Sequence, residues 1–380
     1  MKFFEDAVLQ ARKRGHLVCG DHYLCRRTPE ATVLILCDGV GSGVYANVAA
    51  VTCASRLYAL LEEGCSLRAA CSMVAESMHR ARTEEIPFAA FVVARILPGG
   101  QYTAYAYENP GPVHIKQGVA AACEQRFLTV QYEMIAESAG MMEMGDALLL
   151  CSDGVTHAGI GGGYAMGWET QGLVGEMNAA LRRGLSGEAL LSHILHTAFV
   201  ISGRAYWDDT SLALATCREA RELTVLTGPP ASRADDARVI AALMNAPGRK
   251  VICGSSTTEI ASRELKRPAV ITGMRLTPDT PPEYRMEGVD LITEGVLTLN
   301  QAMNLLEGGV DLRAGDGVVF RLCRMLTEAD AVTFLVGGGQ NAGHEDPLFR
   351  QLGVKPRQVI VEKLVECLQN KGKLVAVRRC

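Results

Sequence analysis

The stretch LILCDGVGSG, residues 34–43, decides the fold of this chain. Its first four residues are apolar and predict a buried strand. Asp38 ends that strand, and a turn of small residues leads into an Ala-rich segment that predicts a helix. This arrangement leaves one carboxylate at a strand end with backbone groups beside it. Such a place suits a metal ion or an anion.

Composition limits the class of protein. A chain of 380 residues is too long for one ordinary core, so we expect two domains. The net charge is -4, so the chain lacks the excess of basic residues that binds nucleic acid, and no nucleic-acid partner is expected. No apolar stretch approaches the roughly 20 residues that span a bilayer, and the N-terminus lacks a basic region followed by an apolar core. We therefore expect a cytoplasmic protein without a membrane partner.

The 13 cysteines are scattered and form no Cys-x-x-Cys pair. This pattern favours small buried hydrophobic side chains in a reducing compartment over disulfides or a zinc site.

The hydrophobic pattern restarts near residue 219, where the chain becomes charged. Residues 1–219 alternate strand-like and helix-like periods, and residues 220–380 alternate strands and helices in a way that predicts a smaller α/β domain with a mostly parallel sheet. In the first domain we predict strands at 17–25, 32–37, 88–96, 102–107, 113–116, 127–131, 146–151 and 210–216, and helices at 44–61, 67–81, 170–183 and 187–202.

Four acids of the first domain stand beside small residues at strand termini: Asp21, Asp38, Asp153 and Asp208. Carboxylates that meet at one edge of a sheet repel each other unless a cation neutralises them. Hard oxygen ligands favour Mg²⁺ or Mn²⁺, and two such ions would lower the pKa of a water and orient it for attack on phosphorus. For one Asp alone, a turn or cap role is the simpler interpretation. For all four together, a shared metal site is favoured.

The ordered motifs resemble those of a known family. Gly20-Asp21, DGVGSG at 38–43, SDGV at 152–155 and DDT at 208–210 resemble the metal-dependent protein serine/threonine phosphatases (PPM) of the SpoIIE-like branch, over about residues 10–217. The segment ENPGPV at 108–113 also resembles that family's turn between central strands. The resemblance implies an α+β domain in which helices flank a β-sandwich, with the metals at one end.

The resemblance also implies roles for individual residues. Asp38 would bridge two Mn²⁺ or Mg²⁺ ions, and the carbonyl of Gly39 would complete one coordination shell. Asp153 and Asp208 would bind the other metal, and Asp21 would hold a metal or its water. These four acids would be the catalytic set, with Asp209 as a supporting hydrogen-bonding group. The implied activity is hydrolysis of phosphoserine or phosphothreonine in a phosphoprotein substrate, in bacterial signalling.

The sequence departs from the family at several positions. Larger relatives carry a phosphate-gripping Arg before the first acid, but residues 15–19 offer only His16; other candidates are Arg26, Arg27 and Arg204. His157 is either a proton donor to the leaving oxygen or a surface residue. The glycine-rich segment 159–168 is either a substrate-recognising flap anchored by Trp168 or a tolerant loop.

The second domain resembles no family with recognisable motifs. Three predicted strands are followed by small-residue loops, at 227–230, 253–258 and 337–344. Such loops at the carboxyl edge of a parallel sheet can bind a small molecule or an anion through backbone N–H groups; helix capping by Ser256 to Thr258 is the alternative. A ligand-sensing or partner-docking role is therefore an expectation.

Two other functions remain open from the sequence. The chain could be a regulatory binding protein that retains the phosphatase fold with little activity. Alternatively, the second domain could sense or process a small molecule, with the first domain as its regulator.

Overall fold

The computed structural model describes residues 1–84, 86–273, 281–339 and 353–380. Two units divide the chain. One comprises Met1–Arg26 with Glu30–Glu219, and the other comprises Arg27–Pro29 with Ala220–Cys380.

Two antiparallel sheets form the first unit. Their strands are β1 (Lys2–Ala11), β2 (His22–Arg27), β3 (Thr32–Gly39), β4 (Ala89–Ile96), β5 (Gln101–Tyr107), β6 (Val113–Lys116), β7 (Val119–Ala122), β8 (Arg126–Val130), β9 (Glu133–Met141), β10 (Ala147–Cys151) and β11 (Thr210–Glu219). One sheet has the order β2-β3-β4-β5-β9-β8, and the other has the order β1-β11-β10-β6-β7. The helices are α1 (Gly43–Glu62), α2 (Leu67–Thr83), α3 (Asp153–Thr156), α4 (Glu169–Arg182) and α5 (Gly187–Ile201).

The apolar run of β3 shows why these layers stack. Successive side chains of a strand point to opposite faces, so an uninterrupted apolar strand needs cover on both faces. Leu34 and Leu36 pack against the second sheet in the core of the sandwich. Ile35 and Cys37 pack under helices α1 and α2. The strand is therefore buried from Thr32 to Cys37.

The second sheet is covered in the same way. Leu148 and Leu150 of β10 face the first sheet, whereas Leu149 faces Leu173 of α4 and Ile194 of α5. The first unit is thus a β-sandwich between two helical layers, as the family resemblance implied.

The second unit is an α/β layer structure built on one sheet of order β14-β15-β16-β13-β12-β17-β18. Five of its strands are parallel, and β14 and β15 add an antiparallel edge. The strands are β12 (Glu222–Thr227), β13 (Arg249–Cys253), β14 (Val270–Gly273), β15 (Glu283–Met286), β16 (Val289–Thr293), β17 (Ala331–Val336) and β18 (Leu374–Arg379). The helices are α6 (Asp236–Met244), α7 (Ser255–Leu265), α8 (Val296–Glu307), α9 (Val318–Glu328) and α10 (Arg357–Asn370).

Helices cover both faces of this sheet. Residues of α6 and α7 pack on one face, and residues of α8, α9 and α10 pack on the other. The smaller α/β domain with a mostly parallel sheet is confirmed. The predicted loop at 337–344 follows β17, and its residues 340–344 lie outside the described part of the chain.

Several strands went unrecognised in the sequence, namely β1, β7, β9, β15 and β16. Strand β9 contains Glu137 and Gly140, which are poor strand formers, and its pairing with β5 fixes its conformation. Strand β1 forms ten residue pairs with β11, a long-range contact that local patterns do not reveal. One placement was also wrong: Asp21 stands immediately before β2 and not inside a strand.

Helix α1 corrects the expectation that no segment could span a bilayer. By length and composition alone, Gly43–Glu62 is long and apolar enough to cross a membrane. In this fold one face of the helix packs in the core with Ala50 and Leu57, whereas Val44, Tyr45 and Val48 are exposed.

Glycines at the strand ends allow α1 and β11 to approach the acids closely. Gly41 and Gly43 serve the turn after β3 through positive φ angles of 109° and 70°. The close contact belongs to Gly39, where an added Cβ would lie 1.9 Å from the carbonyl oxygen of Ala46.

Gly39→Ala should therefore destabilise the protein strongly, by about 3 kcal/mol or more, because the clash is with a helix backbone. Gly175→Ala is the matched control. Gly175 is exposed within α4 with open space around it, so alanine there should stabilise by up to about 1 kcal/mol through helix propensity. Urea unfolding of both variants measures the difference, and equal stabilities would refute the packing argument.

Candidate metal centre

The acids singled out in the sequence are brought to one end of the sandwich by three backbone junctions. Asp38 is the second-last residue of β3, Asp153 begins α3 one residue after β10, and Asp208 precedes β11. Strands β10 and β11 are paired neighbours. Asp21 reaches the same place because Gly20 packs against the Asp209 side chain, where an added Cβ would lie 2.7 Å from its Oδ2.

The Asp21 carboxylate is buried and held by two strands. The Ser211 hydroxyl of β11 donates to its Oδ2 at 2.5 Å, and Gln10 of β1 donates to the Ser211 hydroxyl at 3.0 Å. Asp21 is 2% exposed, and its other oxygen, Oδ1, is buried without a hydrogen-bond partner in the described part of the chain. A buried acceptor without a partner is costly, so Oδ1 is suited to a cation.

Mutual repulsion dominates the electrostatics of the cluster. Burial, followed by the charges of Asp21 and Asp153, raises the pKa of the Asp38 carboxyl well above its ordinary value. Burial likewise raises the pKa of Asp21 to about 6. Three carboxylates in this relation disfavour full ionisation, and a divalent cation would relieve the repulsion.

An imidazole and an ammonium group border the cluster. His157 Nδ1 lies 3.4 Å from Asp153 Oδ2, on an exposed ring. Lys13 Nζ lies 3.5 Å from Asp208 Oδ1, and the Lys13 backbone N–H donates to Asp209 at 2.9 Å. Burial raises the pKa of Asp208, and the Lys13 ammonium opposes that rise.

The chemistry of the donors fits a hard cation. The set consists of carboxylates and the Gly39 backbone, all oxygen donors, which favour Mg²⁺ or Mn²⁺ over softer metals. Across the described residues, no three acidic, imidazole or thiol side chains are close enough to hold an ion as they stand. The set fits a divalent metal in donor type and charge.

The structure revises the role considered for Trp168. Trp168 is buried in the core under α4 and α5, so it does not anchor a substrate. Trp207, which is next to Asp208 in the sequence, is an exposed aromatic residue instead, with 60% of its surface exposed. Among the Arg candidates for phosphate binding, Arg26 lies over the Tyr58 ring.

Lys13 is the cation that sequence reasoning missed. It follows β1, whose last residue, Ala11, pairs with Thr210. Antiparallel pairing therefore brings the chain after β1 beside Asp208 and Asp209. In the sequence Lys13 is far from Asp208 and Asp209. Only recognition of β1 and of its pairing with β11 could have predicted their proximity.

Comparison with protein families identifies the first unit. The family model of stage II sporulation protein E (SpoIIE) matches residues 28–218, which is half of the chain. The chain belongs to this family, within the SpoIIE-like branch of the PPM phosphatases. The matched range contains Asp38, Gly39, Asp153 and Asp208, and it begins after Asp21. A search of curated proteins found no match.

Solved structures with a similar fold are distant in sequence. One is the PP2C phosphatase domain of SpoIIE from Bacillus subtilis with a fragment of its regulatory domain, at 17% identity and TM-score 0.48, covering 57% of this chain and 62% of that one. Another is RsbX in complex with magnesium, at 16% identity and TM-score 0.41, covering 57% and 100%. A third is the serine/threonine phosphatase of S. agalactiae, at 13% identity and TM-score 0.43, covering 57% and 100%.

The clustered carboxylates predict that Asp38→Asn stabilises the metal-free protein at neutral pH. The raised pKa values of Asp21 and Asp38 mean that folding favours their protonated forms. The stabilisation that these two groups give the folded state is therefore fully present below their unfolded pKa of about 4. It is lost as the pH rises through their folded pKa values. Each kcal/mol of repulsion removed should raise the Tm by about 2–4 °C.

Thermal unfolding in a chelator at pH 5 and pH 8 measures this effect. The gain from Asp38→Asn should be larger at pH 8 than at pH 5, because ionisation of the carboxylates and their mutual repulsion increase with pH. An Asp311→Asn variant, at an exposed acid, should leave the Tm unchanged at both pH values. A lower Tm for Asp38→Asn at pH 8 would contradict the prediction.

Proposed function

We propose that the protein is a metal-dependent phosphoprotein phosphatase that hydrolyses phosphoserine or phosphothreonine with two Mn²⁺ or Mg²⁺ ions. The observation that carries the proposal is the mutually repelling set of buried Asp21 and part-buried Asp38 and Asp153, in a chain that belongs to the SpoIIE family. A relative of similar fold is described in complex with magnesium, which supports a divalent metal here. When bound, the ions would supply an activated water and neutralise phosphate charge.

The remaining residues have assignable tasks under this proposal. Asp38 and the Gly39 carbonyl, with Asp153, Asp208 and Asp21, hold the ions. Ser211 keeps the Asp21 carboxylate oriented through its hydrogen bond. His157, beside Asp153 on the exposed side of the cluster, is placed to donate a proton to the leaving oxygen.

Lys13 takes the place of the missing phosphate-gripping Arg. Its ammonium group lies beside Asp208 at the border of the cluster and is one-third exposed, so it can turn toward a phosphate oxygen. A lysine contacts phosphate as a point charge, without the bidentate geometry of Arg.

A pocket next to Asp208 is suited to the polypeptide part of the substrate. Its volume is about 220 Å³, and it is lined by apolar and aromatic groups that include Ile160, Tyr206 and Trp207, with His157 and Asp208 at its border. An apolar side chain adjacent to the phosphorylated residue would fit there.

A second candidate function is a phosphoprotein-binding protein without turnover. Two observations favour it: the described acids are not drawn into coordination as they stand, and Lys13 is near Asp208, where it could substitute for a cation. Calorimetric titration with Mn²⁺ separates the two candidates, because the enzyme should bind the ion and the binding protein should not.

The Asp38→Asn variant also tests activity. Hydrolysis of p-nitrophenyl phosphate with Mn²⁺ should fall by at least about 100-fold, since a carboxylate that would hold the ions is neutralised. Because the same substitution is expected to stabilise the metal-free fold, inactivity cannot be attributed to unfolding. Asp311→Asn should retain full activity. Unchanged turnover in Asp38→Asn would refute the phosphatase assignment.

Lys13→Met should raise the KM for p-nitrophenyl phosphate by about tenfold, because one charge-assisted contact to the phosphate is lost. Lys116→Met, at an exposed lysine that ends β6, is the matched control and should leave KM unchanged. An unchanged KM in Lys13→Met, with Mn²⁺ affinity preserved, would exclude Lys13 from phosphate binding.

A further inference from the structure

The strand order of the second unit creates a crevice between β12 and β17. From β12 the chain continues outward through β13 and β16 on one side, and through β17 and β18 on the other. In doubly wound sheets, ligands bind outside the carboxyl ends of the strands at this reversal point. Here the loops after β12, β13 and β17 meet at that edge, since Gly337 packs on Gly228 and Gly254 faces the Gly228 nitrogen.

A cradle lies beside Gly254, where α7 begins. Gly254 has φ of 140°, and it provides no side chain to accept from the first-turn N–H groups of the helix. The space that its Cβ would fill is bordered by Thr257 Oγ1 at 3.0 Å and the Gly228 nitrogen at 3.9 Å. An acceptor atom placed there would meet a hydroxyl and the positive end of a helix dipole.

Two buried hydroxyls at this edge have no partner within the described ranges. Thr257 is 1% exposed and Thr227, the last residue of β12, is fully buried, yet Oγ1 of each forms no hydrogen bond there. Thr258 behaves differently, since its hydroxyl donates to the Gly254 carbonyl at 2.7 Å. Helix capping therefore explains the position of the Thr258 hydroxyl. It does not explain the Thr257 hydroxyl, which borders the cradle at Gly254.

A guanidinium group supplies positive charge to the crevice. Arg357, the first residue of α10, donates through Nη1 to the carbonyl oxygens of Gly337 at 3.1 Å and Gly339 at 3.2 Å. It lies against Gly228, where a Cβ would be 2.0 Å from Nη1. Its Nε is buried without a partner, and no carboxylate of the described residues forms an ion pair with it. A part-buried charge without a counter-charge is costly.

Two acids of the neighbouring loops are occupied elsewhere. Glu294, after β16, accepts from the Leu297 N–H at the start of α8. Asp236, at the start of α6, pairs with Arg263. Within the described ranges, no acid therefore competes with an external anion for Arg357.

We propose that this edge binds the phosphate group of a small metabolite, held by the N-terminus of α7, the Thr257 hydroxyl and the Arg357 guanidinium. Phosphate matches the donors because it offers several oxygen acceptors to a hydroxyl, helix N–H groups and a guanidinium at once. The site lies wholly within the second unit, so it is independent of the proposed phosphatase centre.

The test uses inorganic phosphate as the probe and the full chain carrying Asp38→Asn, in a chelator, so that the metal centre cannot bind the probe. Calorimetric titration at constant ionic strength should detect binding. Thr257→Val in this background should weaken phosphate binding about tenfold without lowering the Tm of the phosphate-free protein, because the lost hydroxyl has no partner. Arg357→Gln should weaken binding at least as much.

Arg263→Gln is the matched control, since it removes a guanidinium that pairs with Asp236 within the same unit and should leave phosphate binding intact. The proposal is overturned if phosphate does not bind the Asp38→Asn chain, or if it binds with the same affinity in Thr257→Val and Arg357→Gln. Neither result bears on phosphatase activity, which is measured in the wild-type chain with Mn²⁺.

Discussion

Repulsion between carboxylates at the end of the sandwich is the constraint on which the first unit depends. Asp38 lies against Asp21 and Asp153 in a partly dehydrated place, and its pKa rises accordingly. The set opposes folding, because each ionised carboxylate disfavours ionisation of the next. The two sheets and their helical layers supply the hydrophobic stabilisation that offsets this repulsion. The cluster is thereby poised for a divalent cation.

Backbone contact is what forces the acids together. Gly39 lies against the carbonyl of Ala46, Gly20 lies against Asp209, and Gly154 lies against the Asp209 carbonyl. Each glycine stands next to one of the acids in the sequence, so side chains larger than hydrogen would separate the elements that carry them. The small residues of the motifs thus fix distances between elements and do not themselves bind ligands, apart from the Gly39 carbonyl in the proposed site.

Local patterns predicted most of the fold, and pairing determined the rest. Helices α1, α2, α4 and α5 follow from apolar periodicity, and β4 and β5 match the strands predicted at 88–96 and 102–107. Strand β9 could not be predicted, because Glu137 and Gly140 oppose strand formation and its conformation is imposed by pairing with β5 and β8. The four acids were identified from their positions at strand ends, whereas Lys13 was missed because β1 went unrecognised. Trp168 does not anchor substrate, because its ring is buried in the core. The glycine-rich sequence around it gives no indication of this burial.

The two units share one local structure, a strand-to-helix turn of small residues, but the charge of the side chains around it differs in sign. In both, an apolar strand ends in a turn of small residues and a helix follows: LILCDGVGSG at 34–43 and VICGSSTTE at 251–259. In the first, the strand ends on an acid and further acids meet it, so the junction favours a cation. In the second, the strand ends on Cys253, hydroxyls replace carboxylates, and Arg357 supplies the charge, so the helix N-terminus stays available to an anion. The geometry of a strand-to-helix turn therefore does not decide its ligand; the side chains that the neighbouring strands bring to it decide the sign.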